Sequence, residues 1–301
     1  MTRTTDPIEQ RALDRAGTAT SILGLSTRRL AGAGQQATIK TVREAIDRGV
    51  TMLELAPEYG DGRTERWVGM ALRDGYRDRV KLLWQCCAHR RDYKTAMIQL
   101  EETLQHLHTD RVEMWSFHEV IYDNDPEWMY DHGGLDAAQE ARVQGKVRQI
   151  AFHCEKSPHI ALKVLARGFG WDAVLMPLNP FDASFRSFEK QVLPEVIRRG
   201  GAVIGTQPLA GGSIPGCKVV KAEDAFRYAW SLPVACVLAD VESGADLRKT
   251  MRMATTFKPF HPGEMDAMRQ KARTAAGDGR HEHYKTTQSL DGAAGRAAHG
   301  F

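Results

Sequence analysis

Short, nearly continuous apolar runs alternate along this chain with segments whose apolar residues recur at helical intervals. The runs are Ser21–Leu25, Thr51–Leu55, Val80–Trp84, Val112–Phe117, Val147–Phe152, Ala173–Met176, Ala202–Ile204 and Val234–Leu238. Runs of this length with little polar alternation suit strands buried on both faces, as in a parallel sheet covered by helices. Between them, Thr38–Arg48 places Ile39, Val42, Ala45 and Ile46 on one stripe and stops at Gly49. Tyr93–Leu107 repeats the pattern with Ala96, Met97, Leu100, Leu104 and Leu107. Further helices are predicted at Thr64–Arg73, Leu135–Gln144, Pro158–Arg167, Ser187–Arg199, Lys221–Trp230 and Gly244–Thr255.

Eight strands, each followed by a helix, predict an α/β fold of the (β/α)8 or TIM-barrel class, a single domain over residues 1–301 with a C-terminal extension from about 261. An open doubly wound sheet is the competing arrangement, disfavoured because no Gly-x-Gly-x-x-Gly follows the first strand. Two stretches break the rhythm: Val120–Gly134, rich in Asp and aromatics, and the tail, whose small and polar Ser289–Gly295 is expected to pack loosely.

A length of 301 residues suits one such barrel, for which about 250 is typical. The net charge of +3 and the lack of basic clusters interleaved with aromatics argue against nucleic acid as a partner. No apolar run reaches membrane-spanning length, and Met1–Pro7 lacks the apolar stretch of a secretory leader. Five cysteines, at 86, 87, 154, 217 and 236, have no disulfide-framework spacing and read as reduced thiols of a cytoplasmic protein.

In a barrel the strand C-termini and their loops form the active face. In order these carry Ser26, Glu54 with Tyr59, Gln85 with Cys86, His118 with Glu119, His153 with Cys154, Asn179, Gln207 and Asp240. So many polar side chains at these positions predict a pocket for a small molecule. A phenol (Tyr59) and an imidazole (His118) on neighbouring strand ends suit proton delivery to a carbonyl oxygen.

Several blocks resemble the aldo-keto reductase superfamily: Leu23–Leu30 at the first strand, Ala45–Gly60 around the second, and Gly62–Leu72 in the helix that follows. Gly145–Ile150, Met176–Asn179, Phe185–Glu189, Pro208–Gly212 and a Tyr284–Asp291 tail similar to a bacterial subgroup occur in the expected order. The resemblance implies an oxidoreductase that moves hydride between a nicotinamide cofactor and a carbonyl or alcohol. Its tyrosine falls on Tyr59, its histidine on His118 and its aspartate on Glu54, one methylene longer.

The family's lysine falls on Gln85, an amide that can donate a hydrogen bond but supplies no positive field. A nearby cation lowers a phenol's pKa of about 10 by about 1–3 units, so its loss matters. Lys156 and Lys81 are the nearby lysines in sequence, with Lys81 at the wrong end of its strand. The resemblance also implies cofactor contacts at Asn179, Gln207, Leu209, Gly211 and Gly212, with Glu242 and Thr250 towards the adenosine end. Glu242 would repel a 2′-phosphate, which favours NAD(H) over NADP(H). His153 and Cys86 are expected to line the substrate pocket.

Other readings stand beside these. Tyr59 and His118 could be structural, and Glu242 an exposed helix-cap acid. A redox-neutral proton transfer (dehydration, isomerisation or cyclisation) could use the same groups, and so could a catalytically silent nucleotide-binding relative. Glu54, Cys86, His118, His153 and Cys154 are of metal-ligating type but have no ligand motif, so no metal is expected. His281-Glu282-His283, in the polar tail, reads as solvated.

Overall fold

The structure, a computed structural model, describes residues 7–14 and 16–301. Nearly all of the Met1–Pro7 segment lies outside the described residues. Two short antiparallel strands, β1 (Gln10–Ala12) and β2 (Ala19–Ser21), precede eight parallel ones. These are β3 (Leu23–Ser26), β4 (Met52–Leu55), β5 (Lys81–Cys86), β6 (Val112–Phe117), β7 (Val147–His153), β8 (Ala173–Pro177), β9 (Ala202–Thr206) and β10 (Cys236–Asp240). They close in the order β10-β3-β4-β5-β6-β7-β8-β9, as the apolar runs predict.

The two-residue period of each strand divides the core into two layers. Met52, Leu83, Met114, Ala151, Leu175, Ile204, Cys236 and Leu238 fill the barrel interior. Leu13, from the hairpin between β1 and β2, packs into that layer, an element the sequence analysis missed. Leu53, Leu55, Leu82, Trp84, Trp115, Phe117, Ile150, Phe152 and Val174 point outward onto the helices. Trp84 and Trp115 meet edge to face at 4.9 Å on this outer surface. Gly24 on β3 is demanded by closure, since a Cβ there would lie 2.7 Å from Leu238 and 2.9 Å from Cys236.

Helices Tyr93–Leu107 and Gly244–Thr255 have the expected bounds, and both are capped, by Asp92 and Ser243 respectively. The predicted Ser187–Arg199 helix is instead Phe188–Gln191 and Leu193–Arg199, with Val192 and Pro194 at the break. The aromatic insertion folds as helix Asp125–Asp131. Fully buried Asp125 accepts from the backbone N–H of Ile121 and Tyr122 and from Arg91 Nε.

The tail corrects one expectation. Ser289–Gly295 is partly exposed, but the segments around it are tied in by buried polar groups. Lys285 Nζ donates to Asp182 at 2.6 Å and pairs with Glu282, so Glu282 is buried where a solvated group was expected. Closer to the terminus, His299 Nδ1 lies 2.8 Å from the Tyr122 hydroxyl. Among the described residues no helix is long and apolar enough to cross a membrane.

Candidate active site

Interior parity carries the site. On β4 the inward series runs from Met52 to Glu54, on β5 from Leu83 to Gln85, and on β7 from Ala151 to His153. On β6 Met114 is followed by Ser116 and then His118. Apolar residues at the bottom of the barrel thus give way to polar ones at the top. Glu54, Glu58, Tyr59, Gln85, His118, His153 and Gln207 line one cavity of about 250 Å³ at the C-terminal ends of the strands.

Tyr59 lies at its wall, with the hydroxyl donating to Glu54 Oε1 at 2.6 Å. Glu54 Oε2 is buried without a hydrogen-bond partner among the described residues, as is Gln85 Oε1. Burial raises the Glu54 carboxyl above the ordinary carboxylate range, against the lowering effect of the Tyr59 hydrogen bond. Burial, with the Glu54 charge adding to it, holds the Tyr59 phenol well above its usual value. Each shift is towards the protonated form of the group concerned.

The His118 ring stands edge-on to Tyr59 at 6.3 Å between centroids and lies 5.9 Å from the His153 ring. Burial and neighbouring positive charge push its pKa well down, so His118 is neutral at pH 7. Arg91 fixes the loop that bears it, donating to the His118 and Glu119 carbonyls at 2.9 Å each while pairing with Asp125. His153 Nε2 lies 3.5 Å from Glu155.

The two sequence-adjacent lysines are not at the cavity. Lys156 donates to Asp291 and to the Thr287 carbonyl, and Lys81 begins β5 at the opposite end of the barrel. Arg28, just beyond β3, supplies positive charge instead: it lines the cavity, pairs with Asp240 and draws the Tyr59 pKa downward. Sequence reading had passed over it.

Cys86 requires a correction. Its parity is that of Trp84, so it packs in the outer layer, with Sγ 4.0 Å from Gln99. Cys87, two residues beyond inward Gln85, turns towards Tyr59 instead. Cys154 is likewise in the outer layer.

The expected cofactor residues divide. Gln207, Leu209, Gly211 and Gly212 line a second cavity of about 90 Å³, which shares Gln207 and Asp240 with the first. Gly211 and Gly212 have φ of 66° and 92°, and a Cβ on Gly212 would meet nothing within 4 Å. This is an open backbone cradle, with Arg29 on its wall. Asn179 is set apart: its amide donates to the Gln207 carbonyl and the Tyr284 hydroxyl, and accepts from the N–H of Phe181 and Asp182. It ties the loop after β8 to the tail. Thr250 donates to the Asp246 carbonyl within its own helix, and exposed Glu242 is paired with Arg29.

The model of the aldo/keto reductase family matches residues 23–236. Aldo-keto reductase YhdN of Bacillus subtilis is 30% identical over 125 residues, 37% of this chain and 38% of that protein. Human aflatoxin B1 aldehyde reductase member 4 is 26% identical over 214 residues, 68% of this chain and 62% of that protein. The aligned segments thus span less than two thirds of these relatives' own lengths. Aldo-keto reductase AKR11C1 from Bacillus halodurans, in its holo form, superposes with a TM-score of 0.74 at 19% identity, over 91% of this chain and 99% of that one. Barrel topology, the order of sequence blocks and the match over residues 23–236 place this chain in the aldo/keto reductase family.

Proposed function

We propose that this chain is an oxidoreductase acting between a nicotinamide dinucleotide and a small carbonyl or alcohol, with the Tyr59–Glu54 pair as its proton source. The observation that carries this reading is the 2.6 Å hydrogen bond from Tyr59 to a buried carboxyl at the wall of a polar cavity. When bound, the dinucleotide supplies or takes up a hydride. The residues fit it at the phosphate end, where Gly211 and Gly212 leave the backbone open and Arg28 and Arg29 stand nearby.

In the reducing direction Tyr59 gives its proton to the carbonyl oxygen and is reprotonated through the Glu54 carboxyl, whose proton burial helps to retain. Neutral His118 orients the oxygen through a hydrogen bond, and the Gln85 amide stands where the family's lysine would add charge. Arg28 provides the remaining positive field, partly spent on Asp240. The NAD(H) preference inferred from Glu242 loses its basis, since Arg29 neutralises that carboxylate. Either dinucleotide suits the cradle.

Calorimetric titration with NADH and NADPH, followed by turnover of simple aldehydes, tests this reading. Binding of at least one dinucleotide together with aldehyde reduction supports it, and absence of binding at millimolar concentration removes it. A redox-neutral proton transfer is the second reading, favoured by the full engagement of the Asn179 amide in structural bonds. It predicts turnover without any dinucleotide.

A further inference from the structure

Beside Tyr59, three consecutive strand-end loops bring together four donors of unlike chemistry. Glu58 follows β4, Cys87 and His89 follow β5, and His118 follows β6. One ligand atom from each lies within 4.8 Å of all the others. Cys87 Sγ is 3.5 Å from His118 Nδ1, His118 Nδ1 is 3.8 Å from Glu58 Oε2, and His89 Nε2 is 2.7 Å from Glu58 Oε1.

We propose that Glu58, Cys87, His89 and His118 form a binding site for one divalent transition-metal ion of the zinc class. The argument rests first on spacing. Zinc bound tetrahedrally by nitrogen, oxygen and sulfur at their usual bond lengths separates its ligand atoms by about 3.3–3.8 Å. Cys87 Sγ–His118 Nδ1 and His118 Nδ1–Glu58 Oε2 meet that range without movement, and one ligand atom from each of the four residues lies within 4.8 Å of the others. His89 is held to the other Glu58 oxygen by a 2.7 Å hydrogen bond, which an ion bound by His89 and that carboxylate would open by about 1 Å or less.

Donor chemistry points the same way. A thiolate, two neutral imidazoles and a carboxylate balance a divalent charge, and the mixture of sulfur and nitrogen selects zinc, cobalt(II) or iron(II) over magnesium or calcium. Cys87 and His118 are both more than nine-tenths buried, and the thiol lies 3.5 Å from both the Gln85 carbonyl and His118 Nδ1 and beside the Glu58 carboxylate. The thiol thus faces an imidazole and a carboxylate at once, the company a zinc-bound thiolate keeps.

Neighbouring groups orient the set. Arg91 locks the His118 carbonyl, and the His299 ring stacks on His89 at 3.7 Å and 17° while pairing with Glu119. The ion would stand in the wall that Glu58, Tyr59 and His118 contribute to the main cavity. There it would take His118 into its own coordination, away from the substrate oxygen. This last role rests on the proposed carbonyl chemistry, whereas ion binding does not.

The test uses full-length protein stripped with a chelator and then titrated with cobalt(II), with no dinucleotide present. The expected result is one equivalent of cobalt(II) bound, with the visible bands and sulfur-to-metal charge transfer of a four-coordinate thiolate site, displaced by one equivalent of zinc. Cys87→Ser and His89→Ala should each lose those bands while keeping the far-ultraviolet circular dichroism of the wild type, and Cys86→Ser should keep them. A spectrum of six-coordinate cobalt, sub-stoichiometric binding, or thiolate bands that survive Cys87→Ser would overturn the proposal. Because the wild-type spectrum alone decides the thiolate question, a misfolded variant does not rescue it. Failure to reduce aldehydes would leave it untouched.

Discussion

The β4–β6 side of the barrel mouth and the β3–β9–β10 side are both rich in ionisable groups but hold them in opposite ways. On the first, Glu54, Tyr59, Cys87, His89, Arg91 and His118 are buried, and burial is the leading influence on the pKa of Glu54, Tyr59, Cys87, His89 and His118. On the second, Arg28–Asp240 and Arg29–Glu242 are ion pairs at a solvent-exposed rim beside open glycine backbone. Desolvated groups cost folding energy and are suited to chemistry, whereas screened pairs cost little and are suited to opening for a large ligand. For the proposed function, a mouth divided in this way would hold proton chemistry rigid while a dinucleotide enters and leaves.

The largest expected effect comes from breaking the buried side. Arg91→Ala leaves Asp125 as an uncompensated buried charge and frees the His118 loop. It should lower unfolding free energy by about 3–5 kcal/mol in a denaturant titration. A loss under 1 kcal/mol would show that this side is not as desolvated as the geometry says. Tyr59→Phe removes the proposed proton donor without emptying the site, and should lower carbonyl reduction by about 10²–10⁴-fold while dinucleotide affinity stays constant.

A smaller gain is expected from Gln85→Lys. Restoring an ammonium beside Tyr59 should lower the phenol's pKa and speed reduction by about tenfold or more. An unchanged rate would mean that Arg28 already does that work. The pH profile sharpens the same point. Glu54 has a raised pKa, so its protonated form persists above the ordinary carboxylate range, and reduction should be fastest below that raised value and fall as pH passes through it. Glu54→Gln should abolish this limb. Least of all, Arg29→Ala on the exposed side should change stability by less than about 1 kcal/mol.

Much of this was legible in the sequence, and the errors have physical causes. Parallel strands announce themselves because burial on both faces forbids polar residues, so the eight barrel runs were readable to within a few residues. Tyr59, Glu54, Gln85, His118 and His153 could be placed together at one cavity because a barrel puts strand ends at its mouth. Cys86 was misplaced by one residue, and in a strand one residue is the opposite face. Extending the Leu83–Gln85 parity would have pointed to Cys87 and His89. His299 and Arg91 had no such signal, because their contacts are made across long sequence separations to other loops. Asn179 kept its expected place in the chain but spends its amide on Tyr284, a tail contact that no local pattern encodes.

Deuterium transfer tests the central claim most directly. The protein is incubated with NADH or NADPH deuterated at C4 and with simple aldehydes, and the alcohol is analysed by mass spectrometry. The account predicts one deuterium on the carbinol carbon with the wild type and a near-complete loss of product with Tyr59→Phe. Unlabelled product, no product with either dinucleotide, or equal turnover by Tyr59→Phe would contradict it.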